Sequence, residues 1–333
     1  MDGEDIKRLL DSLPGSELRE THISWVILTA ERAFKIKKPV KFSFLDYSDL
    51  EKRKTSCMEE LRLDRRLAPD IYLDVVGILP DAKKKGFSLV RLWEMTGSEQ
   101  PIEYAVEMLR LDEDRMMDRL LDRNEVPRKR VEELGRIIAD FHSRIDKMDP
   151  KDGFNSPKMV WEHISDLGAH KKGIEKACGK EMGVKVDFVL ERSKRFIDKN
   201  KSLFVSRMEN GFVRDCHGDL HSGNIFIDHK IWIIDCIEFN KDFRCVDVAS
   251  EVAFMIMDLD AHSKEDLGIA FVNEYQAHTQ DTQLGALLQF YKCYRANVRA
   301  KVAAIEFEAT RSKDAAERIK KYLLLAERYA GML

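Results

Sequence analysis

The chain has 333 residues, 44% of them apolar, with 17 glycines and 8 prolines, a composition that suits a sizeable globular core and excludes a disordered or fibrous chain. At about 150 residues per domain, two domains are expected. Its 56 basic and 59 acidic residues give a formal charge of −3, without the chain-wide basic field of nucleic-acid binders, so no nucleic-acid partner is expected.

The opening stretch "MDGEDIKRLLDSLPGSEL" is acidic and interrupted by Pro14 and Gly15, unlike the basic flank and apolar run of a signal peptide. No window approaches the roughly 18 apolar residues of a spanning helix, so a cytoplasmic chain with no membrane partner is expected. From Ile23 to Ile36, "ISWVILTAERAFKI" pairs two runs rich in strand formers around Ala30-Glu31-Arg32 and predicts an antiparallel hairpin. Ser48 with Glu51 then reads as a capping box. Leu50, Cys57, Leu61, Leu63 and Leu67 keep an approximate helical stripe as far as Pro69, which predicts a helix over 49–67. Strands are expected over 71–79, 86–93 and 103–111.

Beyond residue 111 the pattern becomes mainly helical. "DEDRMMDRLLDR" predicts one short helix, and "RKRVEELGRIIADFHSRI" a longer one with Val131, Leu134, Ile137, Ile138, Phe141 and Ile145 on one face. The stretch 155–208 is polar, helical and poorly periodic, as in an inserted subdomain. "NIFID" and "IWIID" read as two short strands around a turn at His229-Lys230. Helices alone are expected from Val246 onward, among them 265–277, 283–307 and 313–330. The six cysteines form no C-x-x-C pair and are read as reduced, mostly buried apolar residues. Together these elements predict a two-lobed α+β architecture: an antiparallel-sheet lobe over 1–110, and a helical lobe over 111–333 that carries the segment 215–240.

That segment, "DCHGDLHSGNIFIDHKIWIIDCIEF", concentrates polar groups around an apolar hairpin. Asn224 lies five residues after Asp219, and Asp235 eleven after Asn224. If the strands pair across His229-Lys230, Asn224 and Asp235 fall at the same open end, next to Asp219. Three oxygen-bearing side chains would then converge where magnesium could be held with phosphate oxygens. Taken singly, each Asp or Asn is an ordinary turn or capping residue. The combination has the spacing of the H-R-D-x-x-x-x-N and metal-binding Asp of protein kinases.

"HGDLHSGN", "IIDCIEF" and "FRCVDVASEVAF" resemble the aminoglycoside phosphotransferase family of kinase-like small-molecule kinases, over most of the chain from about Glu20 to residue 330. The likeness is to an uncharacterised bacterial and archaeal branch sometimes fused to a P-loop kinase domain. With no G-x-x-x-x-G-K-[ST] present, that second domain is not expected here. The resemblance implies a protein-kinase-like fold, ATP and Mg2+ as cofactors, and a small-molecule hydroxyl as acceptor. It makes Asp219 the catalytic aspartate, Asn224 and Asp235 the metal ligands, and His217 and Asp247 structural supports of the catalytic loop. Lys35 and Lys37 in "AFKIKK" share one face of a strand and are the candidates for holding the nucleotide phosphates. "EELRL" resembles the family's Glu-x-x-Arg-Leu and selects Glu59 over Glu60 as their helix partner. In "ETHISWV", which replaces the glycine-rich loop of protein kinases, Thr21, His22 and Ser24 are possible phosphate donors.

Acceptor contacts are assigned to His221, Glu238, Tyr294 and Arg295. Tyr291, Tyr294, Arg295 and Arg299 recur at helical spacing, which suits a pocket wall and an ordinary packing face alike. Two rival readings are a protein kinase of the same fold, disfavoured by His221 in place of a lysine two residues after Asp219, and a nucleotide-binding pseudokinase.

Overall fold

The antiparallel hairpin expected from Ile23 to Ile36 does form. A computed structural model describes residues 1–42, 44–83, 86–97 and 99–333. In chain order the first elements are α1 (Gly3–Asp11), β1 (Glu17–Glu20), β2 (Ser24–Leu28), β3 (Arg32–Lys37), β4 (Lys41–Phe42), β5 (Leu45–Asp46), α2 (Leu50–Asp64), β6 (Tyr72–Asp81), β7 (Gly86–Arg91) and β8 (Glu103–Leu109). There follow α3 (Met117–Asp122), α4 (Arg128–Arg144), α5 (Pro157–Ser165), α6 (Lys171–Cys178), α7 (Lys180–Lys199), α8 (Lys201–Glu209), β9 (Val213–Asp215), β10 (Ile225–Ile227), β11 (Ile231–Ile233), α9 (Lys241–Arg244), β12 (Cys245–Asp247), α10 (Val248–Ala261), α11 (Glu265–Thr279), α12 (Leu284–Thr310) and α13 (Lys313–Ala330).

The chain divides into two compact units, Met1–Met116 with Asn224–Lys241, and Met117–Gly223 with Asp242–Leu333. Among the described residues the first unit holds an antiparallel sheet of order β1-β2-β3-β8-β6-β7. One face packs on α2 through Ala33, Cys57, Leu61, Val75 and Val106. The other is covered by Ile6 and Leu9 of α1, against Ile27, Phe34, Ile36 and Ile78. The first element expected from sequence begins at Ile23, whereas α1 and β1 precede it. α1 forms there because Asp2 caps it, accepting from the Glu4 and Asp5 amides at 2.9 and 3.0 Å.

Several boundaries differ from expectation for local reasons. The cap of α2 is Asp49, which accepts from the Lys52 amide at 2.9 Å, while the Ser48 hydroxyl is taken by Asp46 at 2.6 Å. The β10–β11 hairpin belongs to the first unit, where Phe226 and Trp232 join the core of Leu61, Tyr72 and Val106, and so the expected helical lobe does not contain the whole of 215–240.

The second unit is helical with one short ladder, β9–β12, where helices alone were expected from Val246. The stretch 155–208 is no separate insertion. Its Leu167, Ile174, Met182, Val186 and Val189 share one apolar cluster with Phe254 of α10, Ala300 of α12 and Leu323 of α13. All six cysteines are free, and five are buried. Among the described residues no helix is long and apolar enough to cross a membrane.

Candidate functional site

The first unit gathers a chain of paired charges. Alternation along β3 puts Ala33, Lys35 and Lys37 on the face toward α2 and leaves Phe34 and Ile36 on the other. Lys35 Nζ lies 2.9 Å from Glu60 Oε1 and donates to Asp235 Oδ1. Lys37 donates to Glu60 Oε2 and to Glu238 Oε1. Tyr47 donates to Glu238 Oε1 at 2.6 Å, and Ser56 to the Tyr47 hydroxyl at 2.9 Å. Burial works against the charge on both lysines. The flanking carboxylates outweigh it, Asp235 and then Glu60 for Lys35, Glu238 and then Glu60 for Lys37, and hold both ammonium groups well above the ordinary range.

The two lysines are not equivalent. The side chains of Lys37 and Glu238 are 1% and 4% exposed, and their charges are matched inside the protein. Lys35 meets Asp235, whose side chain is 49% exposed. Asp235 sits in the left-handed region at φ 65°, a conformation uncommon for a residue with a Cβ. Two buried groups hold it there: Tyr72 Oη accepts from the Asp235 amide at 3.1 Å, and Asp64 Oδ1 accepts from the Cys236 amide at 2.9 Å. Ile225 pairs with Ile233, and the Ile234 amide donates to the Asn224 carbonyl at 2.9 Å. Asn224 and Asp235 therefore share the open end of the hairpin, as their spacing suggested.

In the second unit the loop after β9 is fixed through its backbone. The Gly218 amide donates to Glu251 Oε1 at 2.7 Å, and Arg295 Nη1 donates to the Gly218 carbonyl at 2.9 Å. Gly218 has φ 90°, and a Cβ there would lie 3.0 Å from the Phe243 carbonyl, so only glycine fits. Asp258 Oδ2 accepts from the Ser222 amide at 2.8 Å and its hydroxyl at 2.5 Å. Glu251 and Asp258 stand two turns apart on α10 and so face the loop together. Glu251 is itself held by His142 Nε2 at 2.8 Å, and Tyr275 Oη lies 2.9 Å from His142 Nδ1.

Between these fixed points Asp219 projects, its side chain 36% exposed, with Oδ2 3.4 Å from His221 Nε2. The Asp219 amide donates to His217 Nδ1 at 3.3 Å. Burial tends to raise the Asp219 carboxyl, but His221, Arg299 and His217 outweigh it and keep it well below the usual carboxylate range. The group is an anion at any physiological pH.

Some expected site residues lie elsewhere. Glu60, not Glu59, is the partner of Lys35: Glu59 is turned away and binds Arg62 at 2.7 and 2.8 Å. Adjacent helical residues differ by about 100°, and Glu60 lies on the stripe of Arg53, Ser56, Cys57 and Asp64 that faces the sheet. That stripe is half polar, which hid it from a search for apolar periodicity. Ser24 is 1% exposed and pairs in register with Lys37, so its hydroxyl is enclosed; Thr21 and His22 are the exposed residues of that loop. Glu238 serves Lys37 and Tyr47 instead of an acceptor pocket. Arg295 braces Gly218, and the buried Tyr294 has its hydroxyl 3.4 Å from His163 Nδ1. Asp247 caps α10 through the Ala249 amide at 2.8 Å and binds Arg207 at 2.5 and 2.7 Å, while Glu251, Arg295 and Asp258 brace the loop directly. Tyr47, Asp64, Tyr72, His142, Glu251 and Asp258 escaped the sequence reading, because each acts through a partner remote in the chain.

No family model matches the chain. Over 319 residues it is 28% identical to uncharacterised proteins of Mycobacterium bovis (strain ATCC BAA-935 / AF2122/97) and Mycobacterium tuberculosis (strain ATCC 25618 / H37Rv). The match covers 94% of this chain and 60% of theirs, so the chain spans about three fifths of the length of the curated relatives it matches. Among solved structures it is similar to a choline kinase from Cryptosporidium parvum Iowa II, with a TM-score of 0.57 and 13% identity over 99% of this chain and 97% of that one. A Plasmodium vivax ethanolamine kinase gives 0.54 and 11%, over 96% and 84%. The gentamicin complex of APH(2")-IIa gives 0.50 and 14%, over 99% and 98%. The chain thus has the two-lobed, kinase-like α+β fold of the small-molecule kinases and aminoglycoside phosphotransferases.

Proposed function

We propose that the protein is an ATP- and Mg2+-dependent phosphotransferase that passes the γ-phosphate to a hydroxyl of a small molecule. The observation that carries this reading is Lys35 held between Glu60 and Asp235, since phosphoryl transfer by kinase-like enzymes requires a strand lysine, a helix glutamate that orients it and a metal-binding aspartate. The donor set suits a hard cation: Asn224 and Asp235 offer oxygens at one end of a hairpin, and the lysine ammonium on Asp235 marks a place where positive charge is stabilised. Magnesium held there would offset the charge of the phosphates.

Lys35 would hold the α- and β-phosphates, with Glu60 fixing its ammonium. Lys37, saturated by two buried carboxylates, would support Glu60 instead of touching nucleotide. Asp219 would accept a hydrogen bond from the acceptor hydroxyl and aim its oxygen at the phosphorus. Because its carboxyl is so weakly basic, it would take the proton only as the new P–O bond forms. The backbone clamps on Gly218 and Ser222 would keep it from swinging away. This reading places the protein in solution, with no nucleic-acid or membrane partner.

The test is calorimetric titration of ATP with magnesium into wild type and Asp235→Asn. Metal-dependent binding that the variant loses is the expected result. A wild type that fails to bind ATP overturns the proposal.

A further inference from the structure

On α12 and α13 of the second unit, two cations lie on a single tyrosine and carry no carboxylate partner among the described residues. Arg299 has its guanidinium carbon 5.2 Å from the centre of the Tyr322 ring, and Lys321 its ammonium 5.6 Å from it. Arg299 is partly buried and feels the charges of Asp219 and Asp258, but makes no direct ion pair with either, so its N–H donors call for an acceptor. It has two close neighbours. Nη2 lies 3.4 Å from Tyr322 Oη, at the long limit of a hydrogen bond, and Nη1 lies 3.2 Å from His221 Nε2.

The second neighbour is no acceptor. His221 Nδ1 receives the Gly223 amide at 3.1 Å, so Nδ1 carries the lone pair and the ring proton of the neutral imidazole sits on Nε2. That Nε2–H faces Asp219 Oδ2 at 3.4 Å and cannot also accept from Arg299. Protonating the ring would remove the remaining lone pair and leave the same result. Nor is Arg299 consumed by the carboxylates nearby. Asp258 is already engaged by both donors of Ser222, and Asp219 faces His221. A guanidinium with unused in-plane donors therefore stands one imidazole away from the carboxylate assigned to the acceptor hydroxyl.

We propose that Arg299 binds an oxyanion on the phosphate acceptor, so that the substrate is a small hydroxylated molecule carrying a carboxylate or a phosphate ester. A planar fork of N–H groups matches both anions through paired hydrogen bonds. His221 sets the spacing: its Nε2–H holds Asp219 toward the hydroxyl, and its ring keeps the guanidinium from collapsing onto Asp219. Lys321 adds charge at the solvent side, where it would draw anions inward. A cationic acceptor would meet Arg299 as a like charge and be rejected. The assignment rests on the phosphotransferase reading for the role of Asp219, but the anion site itself does not need turnover to be detected.

Matched probes decide the matter. Glucose, glucosamine, gluconate and glucose 6-phosphate are titrated calorimetrically into the full chain, with MgATP titrated separately. Gluconate or glucose 6-phosphate is expected to bind at least 10-fold more tightly than glucose, with glucosamine weakest, and whichever of the two anions prevails names its class. Arg299→Gln should weaken the anion about 10- to 100-fold and leave glucose and MgATP unchanged, while Arg299→Lys recovers part of the loss. Should Arg299→Gln not fold, the wild-type preference and the lysine variant decide. Equal affinity for neutral and anionic probes, tighter binding of glucosamine, or an anion preference untouched at Arg299 each overturns the proposal. Loss of MgATP binding alone, with the Arg299-dependent preference intact, sinks the phosphotransferase reading and leaves the anion site standing.

Discussion

Glu60 Oε1 lies 2.9 Å from the Lys35 ammonium, while its chain neighbour Glu59 is spent on Arg62. The pair separates the roles of two adjacent carboxylates. Glu60→Gln should weaken MgATP binding about 10-fold or more, because the lysine loses the charge that orients it. Glu59→Gln should change it less than 2-fold, as expected for a surface ion pair. Calorimetric titration of the two variants side by side checks this, and equal effects would return the choice of glutamate to the sequence motif.

Lys35 and Lys37 should separate in the same way. Lys35→Met is expected to lose nucleotide affinity while remaining folded, since Lys35 stands at the partly exposed end of the network. Lys37→Met leaves Glu238 buried without its direct counter-ion and Glu60 with Lys35 alone, and should instead destabilise the first unit by about 3–5 kcal/mol. Urea unfolding together with ATP titration distinguishes the two outcomes.

Asp219→Asn removes the acceptor of the hydroxyl proton and should lower turnover about 10²- to 10⁴-fold with little change in MgATP affinity. The depressed carboxyl of Asp219 adds a pH signature. No acidic limb from this residue should appear in the rate profile between pH 5 and 8, a range of about three units well above its titration. An acid limb near neutrality that disappears in the asparagine variant would contradict the assignment.

Acid stability follows from Glu238. Burial raises it, but Lys37 and then Lys35 outweigh burial and bring it from an ordinary 4.5 down to about 2. The unfolded chain therefore binds this proton more readily than the folded one. The resulting stabilisation is complete above pH 4.5 and drains away as the pH falls toward 2. Its size is on the order of 3 kcal/mol by linkage. Glu238→Gln should flatten that part of an acid-unfolding curve followed by circular dichroism, and an unchanged curve would remove Glu238 from the account.

In the second unit Arg207 binds Asp247 at 2.5 and 2.7 Å and Asp281 at 2.8 and 2.9 Å, with none of the three side chains more than 1% exposed. Arg207→Ala leaves two buried carboxylates unmatched and should cost about 3–5 kcal/mol in urea unfolding. Asp247→Asn, which keeps the cap of α10, should cost less.

The sequence by itself determined what depends on local order. Two runs of strand formers over 23–36 specified the hairpin, alternation brought Lys35 and Lys37 to one face, and the spacing of Asn224 and Asp235 around a short turn specified their shared end. The loop motif that holds Asp219 was likewise legible, because it is written in consecutive residues; the left-handed backbone of Gly218 came from the structure. Only the tertiary structure decided which partner each charge takes. Glu60 prevailed over Glu59 because the buried stripe of α2 is polar and packs on the lysine face of β3. Glu251, Asp258 and Arg295 became the clamps of loop residues 33 to 77 positions away in sequence, since their shared surface exists only once α10 and α12 are packed. Arg299 was visible as one of two arginines recurring with two tyrosines at helical spacing. Its unused donors emerged only from the hydrogen-bond geometry that fixes the His221 tautomer, which no one-dimensional pattern encodes.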